Sequence, residues 1–417
     1  MFYIIFITLI TLLLPNGITA QSIYNNVGHI PQNNQVEWNE AGLTITPPTV
    51  PDHVFDVTDF GADPADNQLD DTNYILAALD TARNRSGYRA IYFPAGTYKL
   101  TQTISLNQNE DNNLLFIGEG AGTNGTILKT EIDGKVFQIH GTRYPTTFSL
   151  DDDIPAQTHT FIPGGFPGGF NNNDWINFYT DDHPKALYST VGQVTQVLNR
   201  NAGTIKDKTP ILYDDQYNLK YYKLYPIQNV GIENMKIHQK IGDSRSWAET
   251  FSYEYAVNCW IKGVESYKTR MHHVSIKYSS HIYVTGCYFD NTCDYGHAGD
   301  GGRGYGINLN SNSTFCLIEN NVFNALRHSM VVQYGANCNV FAYNYSRNRL
   351  GISGAGDIDC HGNYAYANLF EHNWVERIWN TSIKVELWPP DIEYVYTGPY
   401  NAFVRNRSEI VQKSMVY

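Results

Sequence analysis

The feature that most constrains this chain is a return of asparagine behind short apolar runs. With Asn321 as reference, "IENNVF", "FAYNYS", "FEHNWV" and "FVRNRS" bring back Asn344, Asn373 and Asn406. Upstream, "NVGIENMKI", "KGVESYK" and "VTGCYF" place Asn234, Ser266 and Cys287 at the same point, so the successive steps are 32, 21, 34, 23, 29 and 33 residues. A return at such intervals is the signature of a solenoid. Three short strands and three turns at about 3.3 Å per residue need roughly 21 to 23 residues, and loop insertions lengthen some coils. An α-solenoid would need longer runs of 3.6-residue periodicity, and the sequence has none. Stacked coils place equivalent residues about 4.8 Å apart, so an inward Asn can hydrogen-bond to the Asn above and below it. The chain is therefore expected to be all-β, a parallel β-helix, with these asparagines as structural ladder residues.

The first coil of a solenoid has no neighbour and needs a cover. "VFDVTDFGADPADNQLDDTNYILAALDTARNRSGYRAIYFPAGTYKL" reads as strand, Gly turn, helix, strand, turn, strand. Asp71 or Thr72 can cap a helix whose Ile75, Leu76, Leu79 and Ala82 share one face. The acidic run Asp59, Asp63, Asp66, Asp70 and Asp71 is read as turn and cap residues. The stretch "DFGADPADNQLDDTNYILAAL…AIYFPAGTYKL" resembles the opening of the pectate-lyase and glycoside hydrolase family 28-like superfamily. That resemblance implies a right-handed parallel β-helix and action on a polysaccharide.

Before this cap, Phe2 to Leu14 is an apolar run of 13 residues followed by Pro15, Asn16, Gly17 and small residues. It is too short to span a bilayer and is expected to be a signal peptide cut near Ala20, which makes the protein secreted or periplasmic. The expected organisation is residues 1–20 as signal peptide, 21–52 as an extension and 53–417 as one β-helix domain. Within that domain, 53–105 form the cap, about 140–225 an insertion, and about 226–417 the regular coils. The insertion holds the Gly/Pro-rich "FIPGGFPGGFNNND" and a hairpin in "GQVTQVLNRNAGTIKDKTPILY" that turns at Asn199 to Gly203. It is expected to project from the helix as one wall of a cleft, with a separate small domain as the alternative. Six cysteines (259, 287, 293, 316, 338, 360) lie in one quarter of the chain. They lack zinc spacing, and the last three, 22 apart, are expected to stack in the interior or pair across coils.

The chemistry is expected on one face of the coils. Counting back 17 residues from four successive reference positions gives Arg270, Gly304, Arg327 and Gly356. The segments "TRMHHVSIK", "GGRGYGINLN", "LRHSMVVQ" and "GAGDIDCHGN" should then stack. Unpaired charge is costly in a core, so these polar residues must face outward. The formal net charge is −12 and the pI about 5.5, which argues against a nucleic-acid partner. Residues 262–349 nevertheless carry eight Lys/Arg against five Asp/Glu, a local balance of +3. A basic groove on an acidic protein suits an anionic glycan, uronic or sulfated. The protein is expected to act on it as a monomer, without a membrane partner.

Such a site can run β-elimination on a uronic acid polymer, which requires neutralising the C6 carboxylate, a base near C5 and an acid for the leaving oxygen. Arg303 and Arg327 suit the first role, His328 or His361 the base, and Tyr305 the acid. Arg303, Arg327, His328, Asp359 and His361 form the expected catalytic group. His273, Lys277, Tyr305, Asn308, Gln333 and Asp357 are the expected substrate contacts. No metal ligand is assigned, although Ca²⁺ could replace an arginine as neutraliser. Hydrolysis is the alternative, with Asp357 and Asp359 as the two carboxyl groups if alternate strand residues face one way. A non-catalytic glycan-binding or adhesive β-helix is the third reading. The resemblance does not choose among them. The N-T-D, D-D, G-H-G and R-I-K segments of family 28 hydrolases have only faint echoes here, and the Arg-x-Pro-x-x-Arg segment of pectate lyases is absent.

Overall fold

The computed structural model describes residues 36–65, 69–183, 186, 190–240, 247–292, 303–350, 356–380 and 397–411. The expected signal peptide and Cys293 lie outside the described residues. The coils wind through three faces. The first sheet has ten strands running from His53–Asp56 through Leu317–Glu319 and Val340–Ala342 to Ala402–Val404. The second includes Gly96–Leu100, Thr126–Thr130, Lys236–Gln239, Glu265–Thr269, Tyr288–Thr292 and Val322–Asn324. The third includes Glu249–Glu254, His272–Lys277, Tyr305–Asn310, His328–Val332 and Ile358–Cys360. Neighbouring strands within each face are parallel. The second and third faces join through the long strand Trp374–Asn380, which pairs Trp374 with Tyr345 on one side and Ile378 with Ile358 on the other.

The turn from the first sheet to the second takes a single residue in the left-handed region before the ladder position. Asn320, Tyr343, His372 and Arg405 fill it with φ of 55°, 56°, 52° and 53°. That conformation is unfavourable for an L-residue and persists where surrounding contacts over-determine it. The ladder supplies those contacts. The backbone N–H and Nδ2 of Asn321 both donate to Asn344 Oδ1 at 3.1 Å, and Asn321 Nδ2 also donates to the Val284 carbonyl. Asn344 does the same toward Asn373, and Asn373 toward Asn406. Asn321, Asn344 and Asn373 are each 1% exposed.

The expected register fails at its upstream end. Pairing of Gly231 with Trp260 and of Trp260 with Tyr283 makes Met235 and Val264 the equivalents of Cys287, one and two residues away from Asn234 and Ser266. Asn234 occupies the left-handed position instead, with φ of 55°. The cysteine expectation also fails in part. Leu317 pairs with Val340, a step of 23, so a 22-residue spacing drifts by one. Cys316 and Cys360 lie in the main core, whereas Cys338 packs outside it beneath the insertion; the five described cysteines are buried and unpaired.

The cap has the expected order of strand, helix and strand, with Asp71 at the N-cap position, but its side chain makes no cap bond to the helix. The helix Thr72–Arg83 buries Ile75, Ala78, Leu79 and Ala82 against the first coils. Asp70 accepts from the Thr72 N–H, while Asp71 accepts from the Asp63 and Lys99 N–H groups, so both acids serve the turn. The insertion does not project. Its strands Trp175–Thr180, Val191–Asn199, Thr204–Ile205 and Lys220–Tyr225 form an antiparallel sheet containing the expected hairpin. Phe161, Phe178 and Tyr213 bury themselves against Leu317, Val340 and Leu369 on the outside of the first sheet, together with Trp38.

Candidate functional site

Third-sheet strands carry alternating side chains, with Val274, Ile276, Ile307, Leu309, Met330 and Val332 in the core. An irregularity at the start of each strand breaks that alternation. Glu249 pairs with His272, His272 with Tyr305 and Tyr305 with His328, but the next paired residues are Phe251, Val274, Ile307 and Met330. The residue skipped in each coil turns inward. This places Glu249, His272, Tyr305 and His328 in one outward row above the core.

Rings and hydrogen bonds tie that row together. The His272, Tyr305 and His328 rings follow at 5.1 Å spacings, with Tyr305 and His328 stacked at 21°. Arg327 lies at the edge, its guanidinium 5.8 Å from the Tyr305 ring centre and its Nη1 donating to the Tyr305 hydroxyl at 3.3 Å. A hydrogen-bond chain crosses four coils. Gln333 Nε2 donates to Asn308 Oδ1, Asn308 Nδ2 to His272 Nε2, and His272 Nδ1 to Glu249 Oε1. Burial alone would raise the Glu249 pKa, but the His272 bond and nearby charges bring it to about 2, so Glu249 is a carboxylate that fixes the His272 tautomer.

Most expected site residues meet here, though not all in the expected role. Arg327, Gln333, Lys277 and His361 are half-buried and Asn308 is buried on the same face, while Arg303 is half-buried just before the strand Tyr305–Asn310. His328 is fully enclosed; its Nδ1 lies 2.8 Å from the Gly356 carbonyl and 3.5 Å from Asp359 Oδ2. Burial and the Arg327 charge hold its pKa well below the usual value, so it is neutral. An enclosed imidazole cannot touch a sugar, which corrects its expected role as base. His273 is also corrected. It is the inward, skipped residue, with Nδ1 2.7 Å from Ser266 Oγ and Nε2 3.0 Å from the Asn291 carbonyl, and burial pushes its pKa to about 3. Asp357 occupies the equivalent inward place. Ser346 Oγ donates to its Oδ1 at 2.6 Å and the Arg377 N–H to its Oδ2 at 2.8 Å, while burial raises its pKa. Asp357 braces a corner and does not face Asp359, so the expected carboxyl pair is not formed.

The insertion borders the other end of these strands. Asn312 Nδ2 donates to Thr190 Oγ1, and Asn337 Nδ2 to the Gly192 carbonyl, in the turn that follows the third sheet. The wall expected beside Arg327 and His328 is therefore at the far edge. Two residues of the face were missed in the sequence. Glu249 stands 23 residues before His272, one minimal coil, and Trp379 pairs with Asp359 in the following coil.

His328, Asp359 and His361 bring one ligand atom each within 4.8 Å of one another, the one such group among the described residues. Two imidazoles and a carboxylate suit a transition metal better than Ca²⁺, which takes oxygen ligands. Arg327 and Arg349 both act on His328 with positive charge, which opposes a dication there.

Fold and face together define a right-handed parallel β-helix with a polar outer site, in keeping with the resemblance to the pectate-lyase-like superfamily. A family model described as rhamnogalacturonase A/epimerase, pectate lyase-like, matches residues 54–161, the cap and first coils. Among solved structures, the chain is similar to the Pseudomonas phage phi297 tailspike gp61, with 11% identity over 85% of this chain and 59% of that one and a TM-score of 0.54. It is also similar to the tailspike gp49 of Pseudomonas phage LKA1, with 16% identity, 84% and 59% coverage and a TM-score of 0.48. The chain thus spans less than two thirds of the length of these proteins. A sequence comparison with curated proteins gives no match.

Proposed function

We propose that the protein is a polysaccharide-degrading enzyme that cleaves an anionic, uronate-containing glycan by β-elimination on the outer face of the third sheet. The observation that carries this is the Arg327–Tyr305 pair, a half-buried guanidinium bonded to a phenol hydroxyl on a ring clamped between His272 and His328. Arg327 donates both N–H groups of its charged fork to the C6 carboxylate, which makes the C5 proton more acidic. The same charge stabilises the phenolate of Tyr305, which takes the C5 proton. The electrons of the C5–H bond form the C4–C5 double bond, the C4–O bond breaks, and Tyr305 returns the proton to the departing oxygen. One phenol therefore serves as base and acid, and His328 positions its ring. The family model over the first coils, with its pectate lyase-like description, supports the substrate class.

Hydrolysis is less well supported. Retaining and inverting glycosidases hold two carboxyl groups roughly 5 to 9.5 Å apart. Glu249 and Asp359 sit on strands four coil steps apart, so at about 4.8 Å per step they are separated by roughly 19 Å.

The protein should be incubated with polygalacturonate, alginate and chondroitin sulfate while products are followed by ultraviolet absorbance and by reducing-end assay. Elimination is expected to give both signals on at least one polymer. Reducing ends without absorbance would mean hydrolysis, and binding with neither signal would mean a non-catalytic module. Either outcome overturns the proposal.

A further inference from the structure

A second polar surface lies on a different face. At the N-terminal end of the second sheet, register aligns Lys99 with Lys129, Lys129 with His238 and His238 with Tyr267 in one outward row. Their inward neighbours Tyr98, Leu128, Ile237 and Ser266 are fully buried. Beside the row runs a groove of about 530 Å³ lined by Lys99, Thr101, Lys129, Glu131, His238 and Lys240, among others. None of these residues belongs to the Arg327–Tyr305 site.

The charge there is opposite in sign to that of the whole chain. Lys99, Lys129, Lys236, Lys240 and Lys268 gather around His238, against the carboxylates Asp70, Glu131 and Glu265. The Lys240–Glu131 pair is long, 3.7 Å, and exposed, so it contributes little. Lys129, at the centre of the row, has no carboxylate partner among the described residues. Both Lys236 and Lys268 lie over the Tyr267 ring, at 5.1 and 5.4 Å from its centre, and His238 meets the same ring edge-on at 4.9 Å. Burial and the surrounding lysines hold His238 below its usual pKa, consistent with a concentrated positive field.

We propose that this groove is a second binding site for an acidic oligosaccharide segment, which lies across the strands along the helix axis with its acid groups on successive lysines. A coil step of about 4.8 Å is close to the length of one sugar residue, so consecutive acid groups can meet Lys99 and Lys129 in turn. Tyr267 closes the row, its ring holding Lys236 and Lys268 beside the groove. A nucleic acid fits less well, because its dense charge would meet a protein of net charge −12. The site would hold the polymer while the third sheet cuts it. In this the inference rests on the anionic-glycan reading above, but not on the elimination chemistry.

Affinity electrophoresis through gels containing polygalacturonate, dextran sulfate, neutral dextran or duplex DNA tests it, and the first two separate carboxylate from sulfate as the recognised group. The parent is expected to be retarded by at least one acidic glycan and not by neutral dextran, with retardation fading as salt rises. The double variant Lys129→Glu/Lys240→Glu is expected to bind roughly tenfold or more weakly, with parental turnover on short oligosaccharides. Arg327→Lys is expected to show the converse, lost turnover with parental retardation. Unchanged retardation of the double variant, or retardation by DNA and by neither acidic glycan, overturns the proposal. Lysine-dependent retention by a protein that cleaves nothing would keep this site and sink the elimination reading. Cleavage without any retention would do the reverse.

Discussion

The corner after the first sheet and the leading edge of the third sheet are cut from the same coils, yet they treat polar side chains in opposite ways. At the corner each coil repeats the last. Asn321, Asn344, Asn373 and Asn406 satisfy one another, and the hydrogen bonds run only along the axis. At the leading edge the coils differ. Glu249, His272, Tyr305 and His328 occupy equivalent positions with three different side-chain chemistries, tied by cross-coil bonds to Asn308, Gln333 and Arg327. Repetition closes a hydrogen-bond system on itself; departure from repetition leaves groups pointed at something else. In a solenoid the place to look for chemistry is therefore the row where the coils stop agreeing.

The largest expected effect tests that contrast on the aperiodic side. Arg327→Lys keeps a positive charge but loses the planar fork that matches a carboxylate. Turnover on the cleaved polymer should fall by roughly 10²-fold or more with the melting temperature held. A fall in melting temperature that accounts for the loss would return Arg327 to the scaffold.

Asp357 and Asp359 sharpen the comparison within one strand. Asp357→Ala leaves the Ser346 hydroxyl and the Arg377 N–H without their acceptor and should destabilise by about 2 to 4 kcal/mol. Asp359→Asn keeps the size of a buried side chain and should cost less stability. Chemical denaturation of both variants distinguishes them, and equal losses would mean that Asp357 does not brace the corner.

On the periodic side, Asn344→Ala interrupts the ladder in its buried middle and should cost roughly 1 to 3 kcal/mol. Asn406→Ala removes the half-buried end and should cost less. Equal losses would mean that the ladder does not act through its neighbours.

The smallest effect is one of pH. The His273 pKa is lowered by burial from its ordinary 6.5 to about 3 in the folded state. The unfolded chain therefore takes up a proton that the folded chain refuses. The contribution is intact above about pH 6.5 and is lost progressively as pH falls toward 3. His273→Gln should flatten the decline of melting temperature across that window, and an unchanged slope would remove His273 as a cause.

The periodic parts were the legible ones. Four ladder asparagines, the cap helix and the hairpin at Asn199 to Gly203 could be read because each depends on local spacing. A second ladder was present but passed over. Asn339, Asn368 and Asn401 each precede a first-ladder asparagine by five residues, and they bond in the same way at the turn entering the first sheet. Asn234 misled because Asn also favours the left-handed turn position. Asp357 and His273 were assigned to the wrong side because strict alternation was assumed through an irregularity that leaves no mark in residue type. The fate of the insertion was hidden for a different reason. Whether Phe161 and Phe178 cover a sheet or project from it depends on partners distant in sequence, Leu317 and Val340 among them.

The central claim is that Tyr305, polarised by Arg327, moves the proton that drives elimination. It is tested most directly by the rate at which ultraviolet-absorbing product forms when the parent and Tyr305→Phe are each saturated with the cleaved polyuronate. The phenylalanine ring keeps the contacts with His272 and His328 and removes only the hydroxyl. The account predicts an unchanged melting temperature and a rate lowered by roughly 10²- to 10⁴-fold, the range for a positioned proton-transfer group. A Tyr305→Phe protein that forms unsaturated product at near-parental rate would contradict it.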